Sequence, residues 1–140
     1  MNWNFSLLLL RVEYAGLARI EPFVDAIPWL EKAEKLKLTI VASELFDNIV
    51  AHSQNVRWNL VVLGIKRGAR LSLCYRSSNL DEFWDAVDSQ YLEDKTRPIE
   101  ARYDVGSNRY RGLGLGMVAR LASKVQVHKG LFWHRISVVC

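Results

Sequence analysis

The stretch Leu38-Thr39-Ile40-Val41-Ala42-Ser43-Glu44-Leu45-Phe46-Asp47-Asn48-Ile49-Val50-Ala51-His52-Ser53 decides how this chain is read. Glu44, Asn48 and His52 stand four apart within it. At about 100° per residue, two such steps drift only about 80°, so the three side chains share one helical stripe. Asp47 joins that stripe, while Leu38, Val41, Leu45, Phe46, Ile49 and Val50 cover most of the remaining circumference. An acid, an amide and an imidazole aligned above an apolar face can hold a metal–phosphate group and a water. The plainer alternative is an amphipathic helix whose solvated side carries these residue types.

On either side of this helix the sequence alternates between strand and helix signals. Leu7–Val12 reads as a short strand, and the stretch to Glu21 around Gly16 reads as a turn. Pro22 opens a helix near Phe23–Lys35, which Pro28 either kinks or truly starts. Asn55 ends the long helix. Val56–Lys66 and Arg70–Arg76 alternate as two strands around the turn Lys66-Arg67-Gly68-Ala69. Asn79 and Glu82 have the spacing of a capping box, opening a helix through Leu92 with Leu80, Phe83, Trp84, Val87 and Tyr91 on one face. Glu93–Arg111 is polar, charged and without periodicity, which suits a lid or binding loop or a disordered segment. Ala119–Lys124 then reads as a helix, and Val125–His128 with Phe132–Val139 as a hairpin around Lys129-Gly130. Hairpin strands with helices grouped between them predict an α+β two-layer sandwich, helices on one face of a mixed, mostly antiparallel sheet. No repeat or composition break divides the chain, so residues 1–140 are expected to form one domain.

Bulk composition narrows the class further. With 140 residues, half of them hydrophobic and 24% charged, the chain is long enough for a real core and is expected to be soluble. Two cysteines, Cys74 and Cys140, make no disulfide framework, so a reducing, cytoplasmic setting is expected. Leu7–Leu10 is too short an apolar block to span a membrane, and no basic stretch precedes it as in a signal peptide. The net charge of +4 rises modestly after Arg97, where Arg102, Arg109, Arg111 and Arg120 offer either an anion-attracting surface or ordinary solvated charges. No dense basic cluster or stacking platform is visible along the chain, which argues against direct nucleic-acid binding.

Arg111-Gly112-Leu113-Gly114-Leu115-Gly116 runs into the Ala119–Lys124 helix. Bare glycine amides at the positive end of a helix suit a phosphate, although close helix–sheet packing calls for the same residues. The segment is no dinucleotide fingerprint, because it lies late in the chain without the acidic residue about twenty positions on. It is no Walker A loop either, because no Gly-Lys-Ser/Thr follows.

Taken together, Ser43-Glu44-x-x-x-Asn48-x-x-x-His52 and Gly112-Leu113-Gly114-Leu115 with Met117, Val118, Leu121 and Val125 resemble the ATP-binding domain of the histidine-kinase-like (GHKL) superfamily. More narrowly they look like the anti-sigma-factor serine-protein kinases. The similarity runs over about residues 7–139. The resemblance implies a two-layer sandwich of the GHKL (Bergerat) type that binds ATP and Mg²⁺. In it Glu44 would orient or deprotonate the nucleophile, and Asn48 would ligate the Mg²⁺. Asp47, His52 and Arg111 would border the nucleotide, and Gly112, Leu113, Gly114 and Leu115 would cradle the triphosphate. Expected partners are a sigma factor or an anti-sigma-factor antagonist phosphorylated on serine, with a homodimer possible. The alternative is a nucleotide-independent binding module of the same fold, with Trp3, Phe5 and Trp29 as contact candidates. The family's adenine-reading Asp-x-Gly-x-x-Phe box would fall on Tyr75, Ser77 and Leu80, none of which matches, leaving Ser78 or Asp81 to reach in from a shifted loop. Ser123 also stands where relatives often carry an acid.

Overall fold

The computed structural model describes residues 4–52, 60–76, 102–104, 109–111, 118, 120–129 and 133–140. In chain order these form β1 (Phe5–Arg11), α1 (Leu17–Asp25), α2 (Lys32–His52), β2 (Leu60–Lys66), β3 (Arg70–Arg76), β4 (Arg102–Asp104), β5 (Arg109–Arg111), β6 (Lys124–Lys129) and β7 (Trp133–Val139). Five strands make one open sheet in the order β1-β2-β3-β7-β6, and β4 pairs with β5 separately. Every pairing is antiparallel. The parallel component expected of a mixed sheet is therefore missing among the described residues.

Period-two alternation sends Leu10, Val61, Leu63, Ile65, Leu71, Leu73, Ile136 and Val138 to one face of the sheet, where they are buried. Against them pack Ile20 and Val24 of α1 with Leu38, Val41, Leu45, Phe46 and Ile49 of α2, closing one core. The described residues thus form an α+β fold, an open antiparallel sheet with α1 and α2 packed on one face.

Helix boundaries depart from the sequence expectation. Helix α1 starts at Leu17, where a turn was expected, and carries Pro22 inside it. Pro22 and Ala18, whose carbonyl loses its helical donor, are both on the exposed side of the helix, where the freed group is open to solvent. The expected single helix Phe23–Lys35 is split instead. Ala26 N donates to Pro22 O at 3.1 Å, and Ile27 precedes Pro28, which disfavours helical backbone there. Helix α2 then begins at Lys32, its start closed by Glu31 N donating to Glu34 Oε1 at 2.9 Å.

The β2–β3 turn is the expected one, with Gly68 at φ 83° and Ala69 at φ 51°. The region Glu93–Arg111, read as lacking regular structure, contains the β4–β5 hairpin. The expected helix through Leu92 lies outside the described residues. The last helical turn ends sooner than Lys124: Ala122 N bonds Val118 O at 2.9 Å, and Lys124 already belongs to β6. Between them Ser123 donates to Val139 O from both its N (2.7 Å) and its Oγ (3.0 Å). That double tie gives Ser123 a structural role, fastening the end of the helical turn to β7.

Candidate functional site

The middle of the stripe on α2, at Asp47 and Asn48, is buried. From Leu38 to Ala51 no residue of the helix is exposed. Asp47 retains 5% of its accessible surface and Asn48 retains 8%. Asp47 and Asn48 thus do not lie on a solvated side of the helix, and buried acids and amides are expensive unless they have partners or tasks. Asn48 Nδ2 donates to Glu44 O, one turn earlier, at 2.9 Å. That bond fixes the carboxamide, and among the described residues no hydrogen bond to its Oδ1, an acceptor, is seen. Glu44 is half-buried, and neither it nor Asp47 is free of interactions. His52 is the last residue of α2, one turn beyond Asn48.

One helix therefore brings Glu44, Asp47, Asn48 and His52 into sequence along its axis. Arg111 closes β5, immediately before the glycine segment. Gly112, Leu113, Gly114 and Leu115 lie outside the described residues, and so does their relation to Asn48.

The position where the resemblance would put an adenine-reading acid is better defined. Tyr75 points from β3 into the core, 1% exposed, with its ring stacked on His134 of β7 at 5.6 Å between centroids and 28° between planes. The two residues are register partners across the strands. His134 is itself 5% exposed. No carboxylate is supplied at that position, and the alternatives Ser78 and Asp81 lie outside the described residues. Sequence reasoning overlooked His134, although the alternation of His134, Ile136 and Val138 along β7 carries the signal.

Other candidates are distributed differently from expectation. Arg102 and Arg111 are register partners in the β4–β5 pair, as are Asp104 and Arg109, while Arg120 is exposed. Phe5 is exposed at 43%. Trp29 is partly buried and packs against the core. Trp3 is outside the described residues. Among the described residues no three His, Cys, Asp or Glu side chains converge as a metal cage. Among them, too, no helix is long and apolar enough to cross a membrane.

No protein-family model matches the chain, and no curated protein matches it.

Proposed function

We propose that the chain is a nucleotide-binding regulator of the GHKL type, built like the anti-sigma-factor serine-protein kinases, with ATP held as its Mg²⁺ complex over the α2 stripe. The observation that carries this reading is the burial of Asn48 with its amide nitrogen tied to Glu44 O. A polar residue enclosed among aliphatic neighbours, with an acceptor to spare, fits a ligand for a hard cation. Magnesium that arrives on a nucleotide takes most of its coordination from phosphates and water, so one or two protein groups suffice. Bound there, it would neutralise triphosphate charge.

The chain's own residues would do the positioning. Asn48 would hold the ion and Glu44 would orient a serine hydroxyl and accept its proton. Arg111 and the backbone donors of Gly112–Leu115 would gather the phosphates, with Asp47 and His52 at the border. The acceptor would be a serine of an antagonist protein, the second partner a sigma factor, and the setting cytoplasmic.

A second reading, a nucleotide-independent module of the same fold, is favoured by the Tyr75–His134 pair, which puts two rings where an adenine-reading acid is wanted. Titration calorimetry with Mg-ATP separates the two. The first reading expects heat that vanishes in Asn48→Ala while the circular dichroism spectrum is unchanged. Glu44→Gln should keep the binding and lose serine phosphorylation. No heat at millimolar Mg-ATP would leave the binding module.

A further inference from the structure

The face of the sheet opposite the helices holds a second concentration of chemistry, and only the strand register reveals it. Reading across the strands, Phe5, Lys66, Arg70, Val139 and Lys124 form one row. The next row is Leu7, Gly64, Ser72, Ser137 and Gln126, and the third is Leu9, Val62, Cys74, Arg135 and His128. The centre of the middle row, Gly64, Ser72 and Ser137, is a trough of small side chains between Leu7 and Gln126. A Cβ on Gly64 would meet Ser72 Oγ at 2.9 Å, so the floor cannot rise there without displacing the hydroxyl.

Cations flank this trough on both sides. A depression of about 350 Å³ is lined by Lys66, Arg70, Lys124 and Arg135 together with Ser72 and Ser137. All four cations are exposed, and the five strands contain no aspartate or glutamate at all. None of the four is ion-paired among the described residues. Gathering like charges on strands that carry no acid raises the energy of the folded state, and a polyanion would lower it. Aromatic rings stand at two corners. Trp133 is 51% exposed at one end of β7, and Phe5 lies diagonally opposite with Lys66 Nζ 5.7 Å from its ring centroid.

From these features we propose that the outer face of the five-stranded sheet binds single-stranded nucleic acid. Phosphates run along the trough between the Lys66–Arg70–Lys124 row and Arg135, and bases stack on Trp133 and Phe5. Three strand spacings carry the Lys66-to-Lys124 row over about 14 Å, a length suited to a strand and not to a single phosphate. A face five strands wide is broader than the helix or two-stranded ribbon that a duplex major groove admits. An acidic peptide would answer the charges but leave the exposed rings without a role. The proposal does not depend on the ATP reading, which concerns the opposite side of the sheet.

The test is fluorescence anisotropy of labelled oligo-dT and oligo-U, about twelve nucleotides long, with the full chain. Four phosphate contacts at about −0.7 each predict a slope near −3 in log K against log salt. Arg70→Ala with Lys124→Ala should weaken binding roughly tenfold and flatten that slope by about 1.4. Trp133→Ala should weaken binding and leave the slope unchanged. Asn48→Ala should bind the oligonucleotide like the parent, which separates this proposal from the ATP site. Three results would overturn it: no anisotropy change at low salt, a slope unaltered in the folded double variant, or polyglutamate competing equally while Trp133→Ala has no effect. The last would assign the face to an acidic protein.

Discussion

Asn48 is an amide flanked on α2 by Phe46 and Ile49, both fully buried. Its bond to Glu44 O is dispensable to the helix, because the same carbonyl is the regular acceptor of Asn48 N. Replacing it by an aliphatic of similar size removes a buried polar group without stranding a partner. Asn48→Leu is therefore expected to stabilise the fold by about 1 kcal/mol, a rise of about 2–4 °C in Tm, while abolishing any Mg-ATP binding. A fall in Tm of that size in a thermal melt would mark the amide as structural. Gly16 makes the converse case. Its φ of −64° suits any residue, yet an added Cβ would sit 2.8 Å from Phe46 Cζ. Gly16→Ala should cost about 1–3 kcal/mol through overpacking alone. Trimming the ring with Phe46→Leu should return part of that loss in a double-mutant cycle of denaturation free energies.

At the scale of elements, β1 is an edge strand with Leu7 and Leu9 exposed at 55% and 57%, which invites pairing with another chain. Two bonds blunt that edge. Arg19 Nη1 of α1 reaches over to Leu9 O at 3.0 Å, and Glu13 N folds back on Arg11 O at 2.8 Å. Arg19→Ala should leave the monomer within about 1 kcal/mol of its stability yet promote self-association, visible as faster-sedimenting species in analytical ultracentrifugation. An unchanged sedimentation profile would deny Arg19 its guarding role. The boundaries of such elements follow local chemistry. Strands and the Gly68 turn were legible because alternation and a left-handed glycine are local signals. Helix α1 was misread because a proline inside a helix looks like a boundary, and only its solvent-facing position makes it tolerable.

Over the whole molecule, Cys140 couples pH to stability. Its backbone N donates to Ala69 O at 3.0 Å, fastening the last residue to the β2–β3 turn. Burial pushes its thiol up to about 11, with the Lys37 ammonium pulling the other way. The folded state thus holds the proton at pH values where the unfolded chain releases it. The associated stability is intact below about pH 9 and is lost as pH rises through about 11. Urea denaturation across that window should show a decline that Cys140→Ser flattens, and an identical decline in the variant would remove the thiol as its cause.

Charge is also arranged at this scale. Lys66, Arg70, Lys124 and Arg135 are scattered over some seventy positions of sequence, yet they line one depression. No local pattern announces such a cluster. It arises because four strands pair in a register that sets their outward positions side by side.

The sequence by itself determined the period of each element, the inward residues of the sheet and the alignment of Glu44, Asn48 and His52, because periodicity is a property of neighbours along the chain. Tertiary structure alone decided that Asp47 and Asn48 are buried, that Tyr75 meets His134 and that the cations share one face. Each of these depends on which distant segment covers or adjoins a side chain, and that is set by strand pairing and by helix packing on the sheet.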